Sequence, residues 1–555
     1  TRLQRRCINQ VNANSWDRNR LGSGKDAYRK NLYGASAGGP LWKGRTYFYS
    51  HYQGSRLQTP VSFTRLVPSD TLRQGLLRFR DAGGEAHTVD PKEYDPRGLG
   101  ANPSILEVLR KYPAGNDPTQ GDGLNTAGLT FSVPRLTKDE FGLLRLDHDL
   151  NNKWRLEASG RLEEWEVHNP GAQMDLVARR ALQQATNTPR YVTAAATGVL
   201  SPRLTARLQF SWVQNHITRA PGSDARIAPL DIASDLGANL LAELIGGVNP
   251  LRLGHSTNYF QPSGQLHWQK GAHQIQAGFS FRDLRRLSFN GYRPYAAVGA
   301  AQMVPVPARQ RPAFLRPFDV RRYNVLYSTL LGIVDSVSET RVRNARLEPL
   351  PSGSRDITHP TARIWEYFLQ DVWRVRPSLT ITYGLTYGWQ TPPTERDGLQ
   401  LVPVYLDGGA LIDPRKYLDS RQAAARTGEI YNPDIAFQPV RNLGRETTYG
   451  TNHGNLAPRI SAAWSPSFER GLLGKIFGVR KGVLRGGYGL VYDRTNLTTS
   501  FDLPLEGIGF TESLTLSPRN SQGQPFRIGI DGPTPLPEMA PGTAPIVPLT
   551  NGSLY

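Results

Sequence analysis

The chain has 555 residues, of which 38% are hydrophobic, with a mean hydropathy of −0.45. No apolar run approaches the ~18 residues of a membrane-spanning helix, which excludes a helical membrane protein. Lys and Arg number 66 against 47 Asp and Glu, a net charge of +19 that favours anionic partners. The excess is scattered as single arginines among hydrophobic residues, which weighs against a nucleic-acid interface, and Cys7 is the single cysteine, so no internal disulfide is available.

Thr1 opens on TRLQRRCINQ without an apolar leader, and the stretch from Asn520 to Tyr555 is rich in Pro and Gly without completing a pattern. The sequence therefore reads as a fragment. Gly22-Ser23-Gly24-Lys25 has the look of a phosphate loop, but Asp26 follows the Lys where a Ser or Thr should hold Mg²⁺.

The first hairpin signal is YGASAGGPLWKGRTYFYSHYQG, beginning at Tyr33. With Lys43-Gly44 as the turn, Leu41 faces Thr46, Gly39 faces Phe48, Ala37 faces Ser50, Ala35 faces Tyr52 and Tyr33 faces Gly54. Each small residue leaves room for a ring or hydroxyl across the ladder. Gly38, Ser36 and Gly34 meet Tyr49, His51 and Gln53 on the other face. Gly34-Ala35-Ser36-Ala37-Gly38 also matches G-x-S-x-G, yet Gly39-Pro40 cannot start the helix that a nucleophile elbow needs beneath its Ser.

After residues 57–140, expected to be a long loop, FGLLRLDHDLNNKWRLEASGRLEEW pairs His148 with Leu156, Leu146 with Ala158 and Leu144 with Gly160. Arg145, Asp147, Asp149, Arg155, Glu157 and Ser159 fall on the opposite face. YVTAAATGVLSPRLTARLQFSWV pairs Ala196 with Leu208, Ala194 with Phe210 and Val192 with Trp212, opposite a face of Thr, Gln, Ser and Arg207. Residues 218–258 are expected to be loop, with an amphipathic helix over 233–247. In GQLHWQKGAHQIQAGFSFR a turn at Lys270-Gly271 sets Trp268 opposite His273, Leu266 opposite Ile275 and Gly264 opposite Ala277, with His267 and His273 on different faces.

Residues 284–360 form the next expected loop. IWEYFLQDVWRVRPSLTITYGLTYGWQ then pairs Trp373 with Ile381, Leu369 with Leu385, Tyr367 with Tyr387 and Trp365 with Trp389. Asp371 is the one charged residue on that apolar face. Residues 391–454 are again expected to be loop. Asn496-Leu497-Thr498 and Asn551-Gly552-Ser553 match the glycosylation sequon, which short sequences do by chance.

Five hairpins agree in presenting one apolar and one polar face, with apolar stretches of roughly 9 to 11 residues bracketed by Trp and Tyr. Strands in a sandwich would bury such faces against each other; in a barrel they turn outward to lipid. A polar face of Gln, Thr, Ser, Gly and isolated Arg suits a crowded lumen. Short turns alternating with long loops give the asymmetry of an outer-membrane barrel. The fold class expected is all-β, an antiparallel transmembrane β-barrel of outer-membrane type.

NANSWDRNRLGSGKDAYRKNLYGASAGGPLWKGRTYFYSHYQGSR (12–56), YFLQDVWRVRPSLTITYGLTYGWQTPP (367–393) and NLAPRISAAWSP with VLRGGYGLVYDR (455–466, 483–494) resemble the TonB-dependent outer-membrane receptors, closest to the Oar-like group with its carboxypeptidase-regulatory-like domain. The resemblance implies an incomplete portion of a 22-stranded barrel, roughly a dozen strands, over residues 31–555. Residues 1–30 would hold the end of a plug and the first strand. It further implies outer-membrane lipid and lipopolysaccharide as surroundings, and energised movement of a ligand driven by TonB, ExbB and ExbD.

No catalytic residue, metal ligand or cofactor is assigned. Arg145, Arg155, Arg161, Arg207, Arg282 and Arg374 are the lumen candidates for guiding an anionic ligand, and pairing with neighbouring carboxylates is the competing role. The alternative function is a soluble, basic all-β protein binding nucleic acid or acidic polysaccharide; an enzyme built on Ser36 comes third.

Overall fold

The computed structural model describes residues 2–7, 16, 28–168, 174–175, 180–181, 183–221, 230–231, 253–291, 295–299, 301–479, 481–493 and 508–546. Gly22–Lys25, the expected helix over 233–247, Asn496 and Asn551 lie outside them.

One large sheet organises the chain. Its strands are β1 (Arg2–Cys7), β2 (Arg29–Trp42), β3 (Thr46–Pro68), β4 (Thr126–Asp149) and β5 (Trp154–His168). There follow β6 in two segments (Gln183–Asn187 and Arg190–Ser201), β7 (Leu204–Pro221), β8 (Leu253–Lys270) and β9 (His273–Gly291). The last are β10 in two segments (Arg355–Thr358 and Pro360–Arg376), β11 (Leu379–Gln390), β12 (Leu456–Trp464) and β13 (Leu484–Gly489). Each pairs antiparallel with its neighbours in chain order, so the sheet is a simple meander whose two ends, among the described residues, are β1 and β13. Breaks in β6 and β10 fall beside Pro189 and Pro360, which have no N–H to give to the ladder.

The registers follow the hydrophobic pattern. Leu146 lies opposite Ala158, Ala194 opposite Phe210, Leu369 opposite Leu385 and Tyr33 opposite Gly54. A one-residue slip would send every Leu to the charged face, so these pairings are strongly specified. At the 270s the expected register is off by two. The turn is Gly271-Ala272, with Lys270 paired to His273, Trp268 to Ile275 and Gly264 to Phe279. Gly271 takes φ +59°, which a tight hairpin needs early in its loop, and a shift of two leaves both faces intact.

The regions expected to be long loops are largely structured. β3 and β4 run paired from Thr46 with His148 to Pro68 with Thr126, far into the supposed loop 57–140. Their faces exchange character on the way. Near the short turns the even positions of β4 are exposed and apolar (Leu144, Leu146) and the odd ones polar (Arg145, Asp147). Near the long loop the odd positions Leu129, Phe131 and Val133 are buried, while Thr130 and Ser132 are exposed. This exchange hides the strand from a search for one continuous alternation.

Those buried odd positions join a cap, which holds the largest apolar core of the described residues. It unites segments 67–133, 298–337 and Phe526 around Phe79, Ile105, Tyr323, Tyr327 and Leu330. The Tyr323 ring stacks on Tyr327 at 5.4 Å and meets Phe79 at 5.7 Å. Just before the stretch that begins at Asn520, Thr511–Leu516 adds a strand to Val334–Val342, and within that stretch Phe526 enters the core. Within 391–454, Leu401–Tyr405 pairs with Ile435–Pro439 and a helix covers Pro414–Thr427, capped by Asp413.

Turns at one end of the sheet are short: 43–45, 202–203, 271–272 and 377–378. The connection from β12 to β13 at the same end is longer, with a helix over Gly471–Phe477.

Candidate functional site

The sheet has two faces of opposite chemistry. Its apolar face runs unbroken across strands: Leu146, Ala158, Ala194, Phe210 and Pro262 form one row, and Leu208, Gly264, Phe279, Tyr367, Tyr387 and Leu456 another. Nothing described covers it. Leu144, Leu208, Leu266, Leu369 and Ile460 are all exposed, Leu369 by 56%. Trp154, Trp268, Trp373 and Trp464 border this face on the short-turn side; Trp212, Phe260, Trp365 and Trp389 border it on the other. An uncovered apolar surface of this extent, framed by amphipathic rings, is stable only against lipid.

Asp371 breaks that face, and the fold shows how it is accommodated. His273 Nδ1 lies 2.6 Å from its carboxylate and the Tyr383 hydroxyl donates to it at 2.8 Å, while the His273 ring stacks on Trp373 at 5.4 Å. All three sit by the short turns, within reach of water.

The polar face carries all six arginines singled out from sequence. Arg145 donates two bonds of 2.8 Å to Asp147, and Arg155 reaches the same carboxylate at 3.3 Å. Arg207 pairs with Glu157 at 2.9 Å and donates to Thr197 at 2.9 Å. These three guanidiniums share two carboxylates on adjacent strands, leaving one positive charge. Arg161 pairs with Glu163 and lies 5.1 Å and 5.0 Å from the Phe141 and Tyr191 rings. Arg282 donates to Gln261 at 3.0 and 2.8 Å and lies over Tyr259. Arg374 has no ion-pair partner among the described residues. The first three thus form a connected group, whereas Arg282 and Arg374 stand apart from it. Asp147 and Glu157 were legible as partners on the same face; the aromatic neighbours of Arg161 come from the strands on either side of it, Phe141 on β4 and Tyr191 directly opposite on β6.

His267 and His273 fall on opposite faces, as expected. Ser36 lies mid-strand opposite His51, on neither an exposed elbow nor a helix, so the hydrolase motif has no structural support. Two groups not signalled by spacing come together: Asp81, Glu85 and His87 in a hairpin, and His359, Glu395 and Asp397. In the second the Arg396 guanidinium sits 2.9 Å from His359 Nδ1, which opposes a cation.

In the cap, charge pairing fixes distant segments. Asp95 makes a two-bond pair with Arg527, with both side chains almost wholly buried, and Arg97 pairs with Asp531 at 2.9 and 2.7 Å. Burial pushes the Asp95 carboxyl up, but the Arg527 guanidinium and the backbone N–H groups of Arg97 and Gly100 outweigh it and bring it down to about 2. Arg97 likewise lowers Asp531.

A model of the outer membrane β-barrel domain matches residues 8–555. The chain belongs to that family. Outer membrane β-barrels cross with strands; among the described residues no helix is long and apolar enough to span a membrane. The apolar face is therefore the lipid-facing surface and the protein resides in the outer membrane.

Similar solved structures include the outer membrane transporter YddB of Escherichia coli (7% identity, TM-score 0.34, covering 84% of this chain and 43% of that one). A mutant of the ferric enterobactin receptor PfeA of Pseudomonas aeruginosa is also similar (10%, 0.33, 84% and 50%), as is the FrpB iron transporter of Neisseria meningitidis (8%, 0.26, 83% and 68%). The chain spans half or less of the length of the first two. No curated protein matches it.

Proposed function

We propose that this outer membrane β-barrel is a TonB-dependent receptor of the Oar-like group, moving an unidentified ligand across the outer membrane along its arginine-bearing polar face. The observation that carries the reading is the opposition of the two faces: a lipid-facing surface whose middle band, between the two aromatic borders, carries no charge except Asp371, backed by a polar surface holding Arg145, Arg155 and Arg207. A strand pattern of this kind surrounds a polar interior through which a solute can pass. Residues 1–30 would end a plug and enter the barrel, TonB, ExbB and ExbD would supply the energy, and further strands would complete a 22-stranded wall. A soluble polyanion-binding protein is disfavoured, since water would face Leu369, Leu208 and Ile460 with nothing over them.

The test is comparative nutrient depletion by cells. Deleting the encoding gene and deleting tonB should abolish uptake of the same compound from the medium. Loss of nothing on gene deletion, or a loss that persists without regard to tonB, would remove the transport reading.

A further inference from the structure

At the long-loop end of the lipid-facing surface, β9 and β10 carry charge that the polar face does not use. Leu284, Ala362 and Ile364 are buried on the inner side, so strand alternation sends Asp283, Arg285 and Arg363 outward. Arg285 donates to Asp283 from Nε at 2.9 Å and lies 2.8 Å away through Nη2; Arg363 Nε lies 3.5 Å from the other carboxylate oxygen. The two arginine side chains remain 71% and 62% exposed. Two guanidiniums share one carboxylate, which leaves a positive charge and several undirected N–H donors.

Phe260 flanks Asp283 in the same row, and one step toward the membrane interior the outward residues are Phe281 and Trp365, their rings 5.1 Å apart. Rings and charges together line an open groove of ≈ 800 Å³. Its height is set by the strand. From Trp373, at the short-turn border, to Arg363 is a run of about 33 Å along β10, or about 25 Å across the membrane at the usual strand tilt. That equals the apolar thickness, so the charges stand where the headgroups of the outer leaflet begin.

We propose that Asp283, Arg285 and Arg363 form a binding site for the phosphate of a lipopolysaccharide, with Phe260, Phe281 and Trp365 seating its acyl chains. The charge is complementary: exposed guanidiniums bind a phosphate through paired N–H bonds and need no desolvation of a buried ion. Asp283 holds both arginines in place and limits the affinity, so that the site suits a lipid held at high local concentration. This inference rests on the outer-membrane reading and adds to it a specific lipid.

The protein is purified in detergent and offered purified lipopolysaccharide or, separately, phosphatidylglycerol, and bound lipid is counted by native mass spectrometry. Heat-modifiable migration reports whether the barrel is folded. Wild type should retain lipopolysaccharide; Arg285→Gln with Arg363→Gln should bind it about tenfold more weakly; Arg285→Lys with Arg363→Lys, which keeps the charge but not the paired N–H bonds, should restore the binding only in part, and Asp283→Asn should strengthen it. Equal retention by folded wild type and the glutamine variant overturns the site, as does equal competition by phosphatidylglycerol. Failure of the wild type to need detergent at all would instead overturn the membrane reading beneath it.

Discussion

At the scale of single residues, buried charge is the feature with the clearest consequence. Asp95 and Arg527 lie 432 positions apart and meet in the cap with almost no exposure. The Asp95 carboxyl is held at about 2 against an ordinary 3.8, so the folded cap favours its ionised form. Its contribution, about 2 kcal/mol, is present in full above the ordinary value and is lost as pH falls from about 4 towards 2. Protease cleavage within the cap should rise over that interval while the sheet stays folded. Asp95→Asn should destabilise the cap by about 3–5 kcal/mol at neutral pH, because Arg527 would remain buried without its partner, and should flatten the acid transition. An unchanged acid profile in the variant would count against this account.

At the scale of the element, hairpins are held by rings laid over glycines. A Cβ at Gly264 would stand 2.5 Å from Phe279, and one at Gly198 2.6 Å from Trp154, closer than real contacts allow; Tyr33 covers Gly54 in the same way. Phe48 does not sit over Gly39, around which a Cβ would meet nothing within 4 Å; Tyr49 instead approaches Gly38, on the other face. Gly264→Val should therefore cost about 1–3 kcal/mol through displacement of Phe279, whereas Gly39→Ala should be close to neutral. Urea unfolding of the two variants in detergent separates them, and equal stability would remove the steric argument. Pair identity was readable from alternation, but which rings fold onto which glycine depends on rotamer and strand twist.

At the scale of the molecule, the decisive surface is the lipid-facing one. Leu369 lies midway between Trp365 and Trp373 and is 56% exposed. On a soluble protein, Leu369→Arg would alter stability by less than about 0.5 kcal/mol. At the middle of a membrane band it should cost about 2–4 kcal/mol. Unfolding from lipid vesicles checks which holds, with Leu136→Arg, at the long-loop end of the same face, as the mild control.

The sequence by itself determined the two-faced hairpins, the residues on each face, the six arginines of the polar side and the outer-membrane class, because a period of two is a local property that neighbouring strands must share. It also carried Asp147 and Glu157 as partners of those arginines, since all lie on adjacent strands. Only the tertiary structure decided the cap. Its core draws on Val67, Leu129, Tyr323 and Phe526, separated by up to hundreds of residues. The same strands that face lipid below bury their opposite face above, so the periodicity reverses where water replaces lipid. Tertiary structure likewise decided the outward site at Asp283, Arg285 and Arg363, because register across β9 and β10 brings one carboxylate between two arginines, Arg285 inside the expected loop 284–360 and Arg363 just beyond it.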